Sequence, residues 1–387
     1  MRIAYVNCDH GIALGAAKGA TTHIVEMVRA LSDEGARLRL LCARVEATPD
    51  ALRDVPVLAL SPAQALAADK EQIRREQALR MVDQLVAMHQ HWPFDAIYER
   101  YSLWSDAGVQ AGRALGVPVM VEVNAPLVRE QLAYRRLNDP ALARSIEQSV
   151  FHGADHLFAV SSGLRDWMIA EGVDGGRVSV LGNGVDGAMF QAGEPLRATA
   201  TTIGFTGSLK QWHGIRELLQ AFALVRQQRA DAHLLIVGDG PMRPWLEGFI
   251  EGAGLDPSVT ISGWIDHREL PTWIERMDIA TAPYPPSQDF YFSPLKLFEY
   301  MAMGRPIVAS AIGQVAEVLA DELDALLIRP GDPQALAGAL LRLLDDHALR
   351  LRLGAAARQR SAEHSWQRNA QRVLAKAREL GQRAEAA

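Results

Sequence analysis

Short apolar runs alternate with stretches in which apolar residues recur every three or four positions, and this alternation spans nearly the whole chain. Residues 3–8 form a short apolar run of the kind found in a buried parallel strand, and 38–42, 55–60, 96–99, 117–123, 157–160 and 178–181 are further largely apolar runs of strand length. Between the first two, Ile24, Val25, Val28 and Leu31 recur at helical spacing after a loop with Gly11, Gly15 and Gly19, with Thr21 or Thr22 expected to cap the helix and Gly35 to end it. A long polar helix is expected from Asp69 to about His91, carrying Arg74, Arg75 and Arg80 on a solvated or lipid-facing side. Ser161 or Ser162 is expected to cap a further helix. A turn-rich segment, Asn183-Gly-Val-Asp186 followed by Gly187, Gly193 and Pro195, then breaks the pattern as a linker does. The alternation restarts with runs at 203–206, 234–237, 259–262, 279–282, 307–309 and 325–328, and helical spacing resumes from Pro333 with Trp366 as a core anchor. Strand and helix in strict alternation, twice, predict an α/β protein of two doubly wound units with a crevice between them.

The chemistry concentrates where strands end. The expected strands deliver Glu99, Arg100 and Tyr101, then Glu122 and Asn124, to the carboxyl edge of the first sheet, and Gly19 lies in its glycine loop; a substrate contact or an ordinary loop cap would both fit. Gly15, Lys18 and Gly19 do not make a dinucleotide fingerprint. In the second unit Ser293 suits an N-cap and Pro294 a first helical position, so a helix is expected to begin at Ser293 and stop at Gly304. The free amides of Leu295 and Lys296, with the lysine ammonium, would form an anion site. Glu299, three residues on, could accept hydrogen bonds from sugar hydroxyls, although Lys296 and Glu299 also fit a plain surface ion pair.

Composition narrows the classes. A chain of 387 residues suits two domains, and a net charge of −6 argues against non-specific nucleic-acid binding. Cys8 and Cys42 sit inside apolar runs and suggest neither a disulfide framework nor a zinc site. No apolar run approaches the roughly 20 residues that span a bilayer, so a cytoplasmic protein is expected, with peripheral contact at the inner membrane face as the variant.

Several motifs in fixed order resemble the retaining glycosyltransferases of family 4. They are Lys18-Gly-Ala-Thr21 with His23 beyond it, Asn183-Gly-Val-Asp186, Gly207-Ser-Leu-Lys-Gln-Trp-His-Gly214, Gly238-Asp-Gly240, Ser262-Gly263, Glu299-Tyr-Met-Ala-Met-Gly-Arg-Pro306 and Gly331-Asp332. The resemblance implies a GT-B fold of two Rossmann-like domains: 1–185 for the acceptor, 186–364 for a nucleotide-sugar donor, and a helix over 365–387 returning to the first domain. It implies that Glu299 meets the donor ribose and that Leu295 and Lys296, after Ser293 and Pro294, meet its phosphate and sugar. Gly263, Trp264 and Ile265 would flank the base, while Gly207, Ser208, His213 and Gly240 would lie about the diphosphate with Lys210 as a second cation. Tyr291 stands where the family often has a first glutamate, and Asp289 is the nearest carboxylate to replace it. Ser208 and His213 stand where an arginine and a lysine are frequent. The resemblance implies no protein nucleophile, and neither a cofactor nor a divalent metal is expected, since Lys210 and Lys296 can neutralise the diphosphate and no acidic pair has metal-ligand spacing. UDP is the first nucleotide expected and GDP the second, with a polysaccharide, lipid-linked or natural-product hydroxyl as acceptor. A sugar-nucleotide 2-epimerase and a binding or scaffold protein of the same fold are the competing readings.

Overall fold

A computed structural model describes residues 1–386 apart from positions 17, 61–69, 194, 195, 198 and 200; Asp69 and Pro195 lie outside the described residues. The chain divides into two compact units, Met1–Gly182 with Trp366–Ala387, and Asn183–Ser365. In the first, strands β1 (Arg2–Asn7), β2 (Arg37–Cys42), β3 (Val57–Ala59), β4 (Ala96–Arg100), β5 (Val119–Val123), β6 (His156–Ala159) and β7 (Val178–Val180) form a parallel sheet in the order β3-β2-β1-β4-β5-β6-β7. The order reverses direction between β1 and β4, where Tyr5 is in register with Tyr98. At such a switch point the helices leave on opposite faces and open a crevice beyond the strand ends.

The last helix, Trp366–Ala386, belongs to this first unit and packs on the helix Gly19–Asp33. Trp366 is buried with its ring 4.9 Å from that of His23, edge to face. Asn369 Nδ2 donates to the Gly182 carbonyl and Arg372 to that of Val180, both at 2.7 Å. The helix Gly19–Asp33 starts one turn before the expected threonine cap. Lys18 occupies the N-cap position, and the Thr21 hydroxyl turns back to the Ala13 carbonyl at 3.1 Å instead of capping. At the helix Ser162–Ala170 the Ser161 side chain does accept the Leu164 amide.

The second unit carries β8 (Thr202–Thr206), β9 (His233–Val237), β10 (Val259–Ile261), β11 (Ile279–Ala282), β12 (Ile307–Ser310) and β13 (Leu326–Ile328), all parallel in the order β10-β9-β8-β11-β12-β13. Its switch point lies between β8 and β11. Ile203, Leu234, Ile236, Ile279 and Val308 pack one face of the sheet against helices that include Ile215–Gln228 and Pro333–Asp345. Among the described residues no helix is long and apolar enough to cross a membrane, and Cys8 and Cys42 are free thiols.

Gly214 ends the loop after β8 in the left-handed region, with φ at 73°, and a Cβ there would sit 1.6 Å from the Pro283 carbonyl oxygen. Both the backbone strain and the clash oppose any side chain. Gly214→Ala is therefore expected to cost at least about 2 kcal/mol, read as a lowered urea midpoint at unchanged slope.

Candidate active site

Loops at the carboxyl ends of β8, β9 and β10 bind to each other before they bind anything else. The Gly207 amide donates to Val237, the Leu209 amide to Asp239 and the Met242 amide to Leu209, each at 2.9 Å. Gly238 and Gly263 form an isolated bridge that ties in the third loop. Beneath these loops runs the helix Leu295–Ala302. It starts one residue later than the sequence suggests, with its N-cap at Pro294. Ser293 is not its cap, because the Ser293 hydroxyl accepts the Asn183 amide at 2.8 Å and its carbonyl accepts the Asn183 side chain at 2.6 Å. Pro294 takes the N-cap position without a side-chain bond, which leaves the Leu295 and Lys296 amides free of a capping group. The other end stops as expected. Gly304 has φ at 61°, its amide bonds to the Met301 carbonyl and the Arg305 amide to that of Tyr300, a double closure that only a left-handed residue permits.

Lys296 is the centre of this arrangement. It is 7% exposed, and its Nζ has no hydrogen-bond partner among the described residues. The ammonium sits 3.8 Å from the centre of the Phe205 ring and 5.8 Å from that of Tyr284, an aromatic seat that favours a cation without neutralising it. Burial pushes its pKa down to about 7, against the pull of Glu299. Directly above lies Gly207, with φ at 127°, where a Cβ would come within 3.0 Å of the Lys296 nitrogen. The glycine keeps open the approach to a buried, unpaired positive charge. A ligand anion is the partner this geometry lacks.

Around it, His213 is half-buried, and its Nδ1 lies 2.6 Å from the Ser208 carbonyl. Burial, then Lys296 and Lys210, push its pKa down to about 3 against that hydrogen bond, so the imidazole is neutral near pH 7 and adds no positive charge. Lys210 lies over the Trp212 ring at 5.0 Å. Gly240 backs onto Leu209, where a Cβ would meet the backbone at 2.7 Å. Trp264 is 62% exposed, whereas Ile265 packs into the core. Glu299 is buried and its Oε1 lies 2.9 Å from Nε2 of His267. His267 was not legible as a site residue, since it follows the Gly263 loop without any local period and meets its partner only in the fold. Phe205 and Tyr284, the seat of Lys296, were likewise hidden among ordinary core positions. Tyr291 flanks an aromatic group, with its ring 5.3 Å from Phe292, itself 4.3 Å from Phe290.

In the first unit the strand-end candidates separate into two sets. Glu122 is fully buried and receives four side chains: His23, Arg100 at 3.1 Å, Asn124 at 2.8 Å and Tyr98 at 2.6 Å. Burial alone would raise its pKa, but His23, Arg100 and the Tyr98 hydroxyl bring it down to about 2, so it is a carboxylate. Asn124 keeps its Oδ1 unpaired. Glu99 and Tyr101 face elsewhere. Glu99 holds the Gly108 amide at 2.9 Å and the Ser105 hydroxyl at 3.0 Å, and burial pushes it up to about 8 despite these bonds. Tyr101 donates to Glu147 at 3.0 Å. Gly19 opens the helix after the glycine loop, in which Lys18 donates to the Gly11 carbonyl at 2.7 Å. Among the described residues no group of three or more His, Cys, Asp or Glu is placed to hold a metal ion.

Known proteins resemble the chain along nearly its whole length. A family profile described as "Glycosyl transferase 4-like domain" matches residues 18–184, and one described as "Glycosyl transferases group 1" matches residues 200–346. The D-inositol 3-phosphate glycosyltransferase of Paenarthrobacter aurescens is 25% identical over 387 residues, covering 94% of each chain. Among solved structures, sucrose-phosphate synthase from Thermosynechococcus elongatus superposes with a TM-score of 0.76 at 21% identity, over 98% of this chain and 99% of that one. HepE of Anabaena, solved with UDP-glucose, superposes with a TM-score of 0.74 at 19% identity, over 97% and 100%.

Proposed function

Since the chain belongs to the group 1, family 4 glycosyltransferases and has their GT-B fold, we propose that it moves a sugar from a UDP-sugar, with a GDP-sugar as second choice, to a hydroxyl group with retention of configuration. The acceptor is a polysaccharide, lipid-linked or natural-product precursor. The observation that carries this reading is the buried Lys296 ammonium without a hydrogen-bond partner, under Gly207 and at the start of the helix Leu295–Ala302.

Cleavage of a glycosyl–phosphate bond leaves negative charge on the diphosphate. Lys296 and the free amides of Leu295 and Lys296 stabilise that charge in the transition state, with Lys210 as the outer cation. They are fixed before the donor arrives, so little reorganisation is needed. Glu299 accepts from the ribose hydroxyls, and the loop of Gly263, Trp264 and Ile265 flanks the base. With Tyr291 replacing a carboxylate, the sugar is held more by aromatic contact than by charge. The leaving phosphate takes the acceptor proton, and no side chain acts as nucleophile. These cations also meet the need that a divalent metal would otherwise fill. In the first unit Arg100, Asn124 and the Glu122 network face the acceptor, Asn124 Oδ1 being the open group.

A thermal-shift series with UDP, GDP, ADP and their hexose conjugates tests the donor assignment. A ligand at 100 times its Kd stabilises the folded state by about 2.7 kcal/mol, so the matching nucleotide should raise Tm by several degrees, with UDP first. A flat response to every diphosphate would remove the site. With an acceptor found, proton NMR of the fresh product should show the donor's anomeric configuration. An epimerised nucleotide without glycosylated product would favour the epimerase instead, and binding without turnover would favour the scaffold reading.

A further inference from the structure

We infer that His267 is a positioning residue for the donor, which holds the Glu299 carboxylate in the rotamer that receives the nucleotide's ribose. This rests on the donor assignment above.

The geometry is specific. Glu299 Oε1 lies 2.9 Å from His267 Nε2, while its Oε2 accepts from no described residue. A carboxylate partner fixes the imidazole proton on Nε2, so the histidine donates and the carboxylate keeps one oxygen available. Glu299 is 5% exposed and stands on a helix at the sheet's carboxyl edge. A buried carboxylate with a single hydrogen bond has no other described group to set its torsion.

His267 is itself clamped. It opens the turn His267–Glu269, in which the Asp266 carboxylate accepts the Arg268 amide at 2.9 Å and the Glu269 amide bonds to the Asp266 carbonyl at 3.0 Å. The ring packs 5.5 Å from that of Phe190. The turn follows the loop of Gly263, Trp264 and Ile265 directly, so the segment that would flank the base also supplies the group that aims the carboxylate. Base and ribose are thereby set by one rigid strand-end connection and not by two independent side chains.

The test compares nucleotides with and without the hydroxyls that Glu299 would receive. Titration calorimetry on the full chain measures Kd for UDP and for 2′,3′-dideoxy-UDP, with GDP and its dideoxy form in parallel. In the wild type the missing hydroxyls should weaken binding. In His267→Ala the intact nucleotide should bind about tenfold more weakly, as expected for one charge-assisted hydrogen bond lost at second hand, while the dideoxy form should bind as it does to wild type. His267→Gln, whose amide can still donate, should recover most of the difference. Equal weakening of both nucleotides by His267→Ala would mean a merely structural role and overturns the assignment, as does an unchanged Kd for both. A wild type that binds no nucleotide overturns the donor reading itself. A wild type that binds but ignores the hydroxyls overturns the Glu299–ribose contact and the role of His267 with it, while leaving nucleotide binding intact.

Discussion

Lys296→Ala is expected to lower kcat/KM by on the order of 10²–10³, with folded protein recovered in normal yield. The effect should fall mainly on kcat, because the diphosphate charge that the ammonium meets is largest in the transition state. Stopped or coupled assays of nucleotide release under one set of conditions would measure it, and wild-type turnover in the variant would sink the active-site assignment. A pH profile adds an independent check. Burial pushes Lys296 down to about 7 in the free protein, so the lysine is charged below that pH and neutral above it. Donor kcat/KM should therefore decline above about pH 7, and donor binding there should take up a proton.

The sign for stability is the opposite one. The folded pKa lies below the ordinary lysine value of 10.5, so between about 7 and that value the unfolded chain binds more protons and stability rises with pH. Below that window both states are charged and the folded state bears the full burial cost. Lys296→Met should remove this dependence and raise unfolding free energy near pH 6 by roughly 1–4 kcal/mol, while leaving the enzyme inactive. Such a pair of results is the signature of a site kept at the expense of stability.

Glu299→Ala is expected to raise KM for the donor by about 10- to 100-fold, the worth of hydrogen bonds to a charged group, with kcat changed much less. Ribose contacts are made equally in the ground and transition states, so they act on binding. Steady-state kinetics at saturating acceptor separates the two parameters, and an unchanged KM would contradict the ribose role. Because Glu299 raises the Lys296 pKa, its removal should also shift the falling limb of the pH profile to lower pH. The two substitutions are thus coupled, and their double mutant should fall short of the sum of the singles.

The thirteen strands of the described residues were legible because most strands of a doubly wound parallel sheet leave short, largely apolar runs, a signal that needs no partner to be read. The end of the helix Leu295–Ala302 was equally legible, since Gly304 carries its own reason. Its start was not. Ser293 has the right chemistry for a cap, yet its hydroxyl is claimed by Asn183, 110 residues away. Thr21 failed in the same way, drawn to Ala13 across the glycine loop. Glu99 and Glu122 show the limit for chemistry. Both are buried glutamates of neighbouring strands, but one is pushed up to about 8 and the other down to about 2. The difference comes from His23 and Arg100, which only the fold brings to Glu122. The position of a charge could be read from the sequence, whereas its protonation depended on distant neighbours.

The helix Trp366–Ala386 carries a consequence for how the chain is made. It completes the first unit, and its Trp366 packs on His23, the residue that bonds Glu122. A ribosome emits residues in order, so the first unit must wait for a segment translated after the second before its buried network is sealed. The second unit, continuous from Asn183 to Ser365, has every residue it needs earlier. The second unit can therefore close before the first, although it follows it in the sequence.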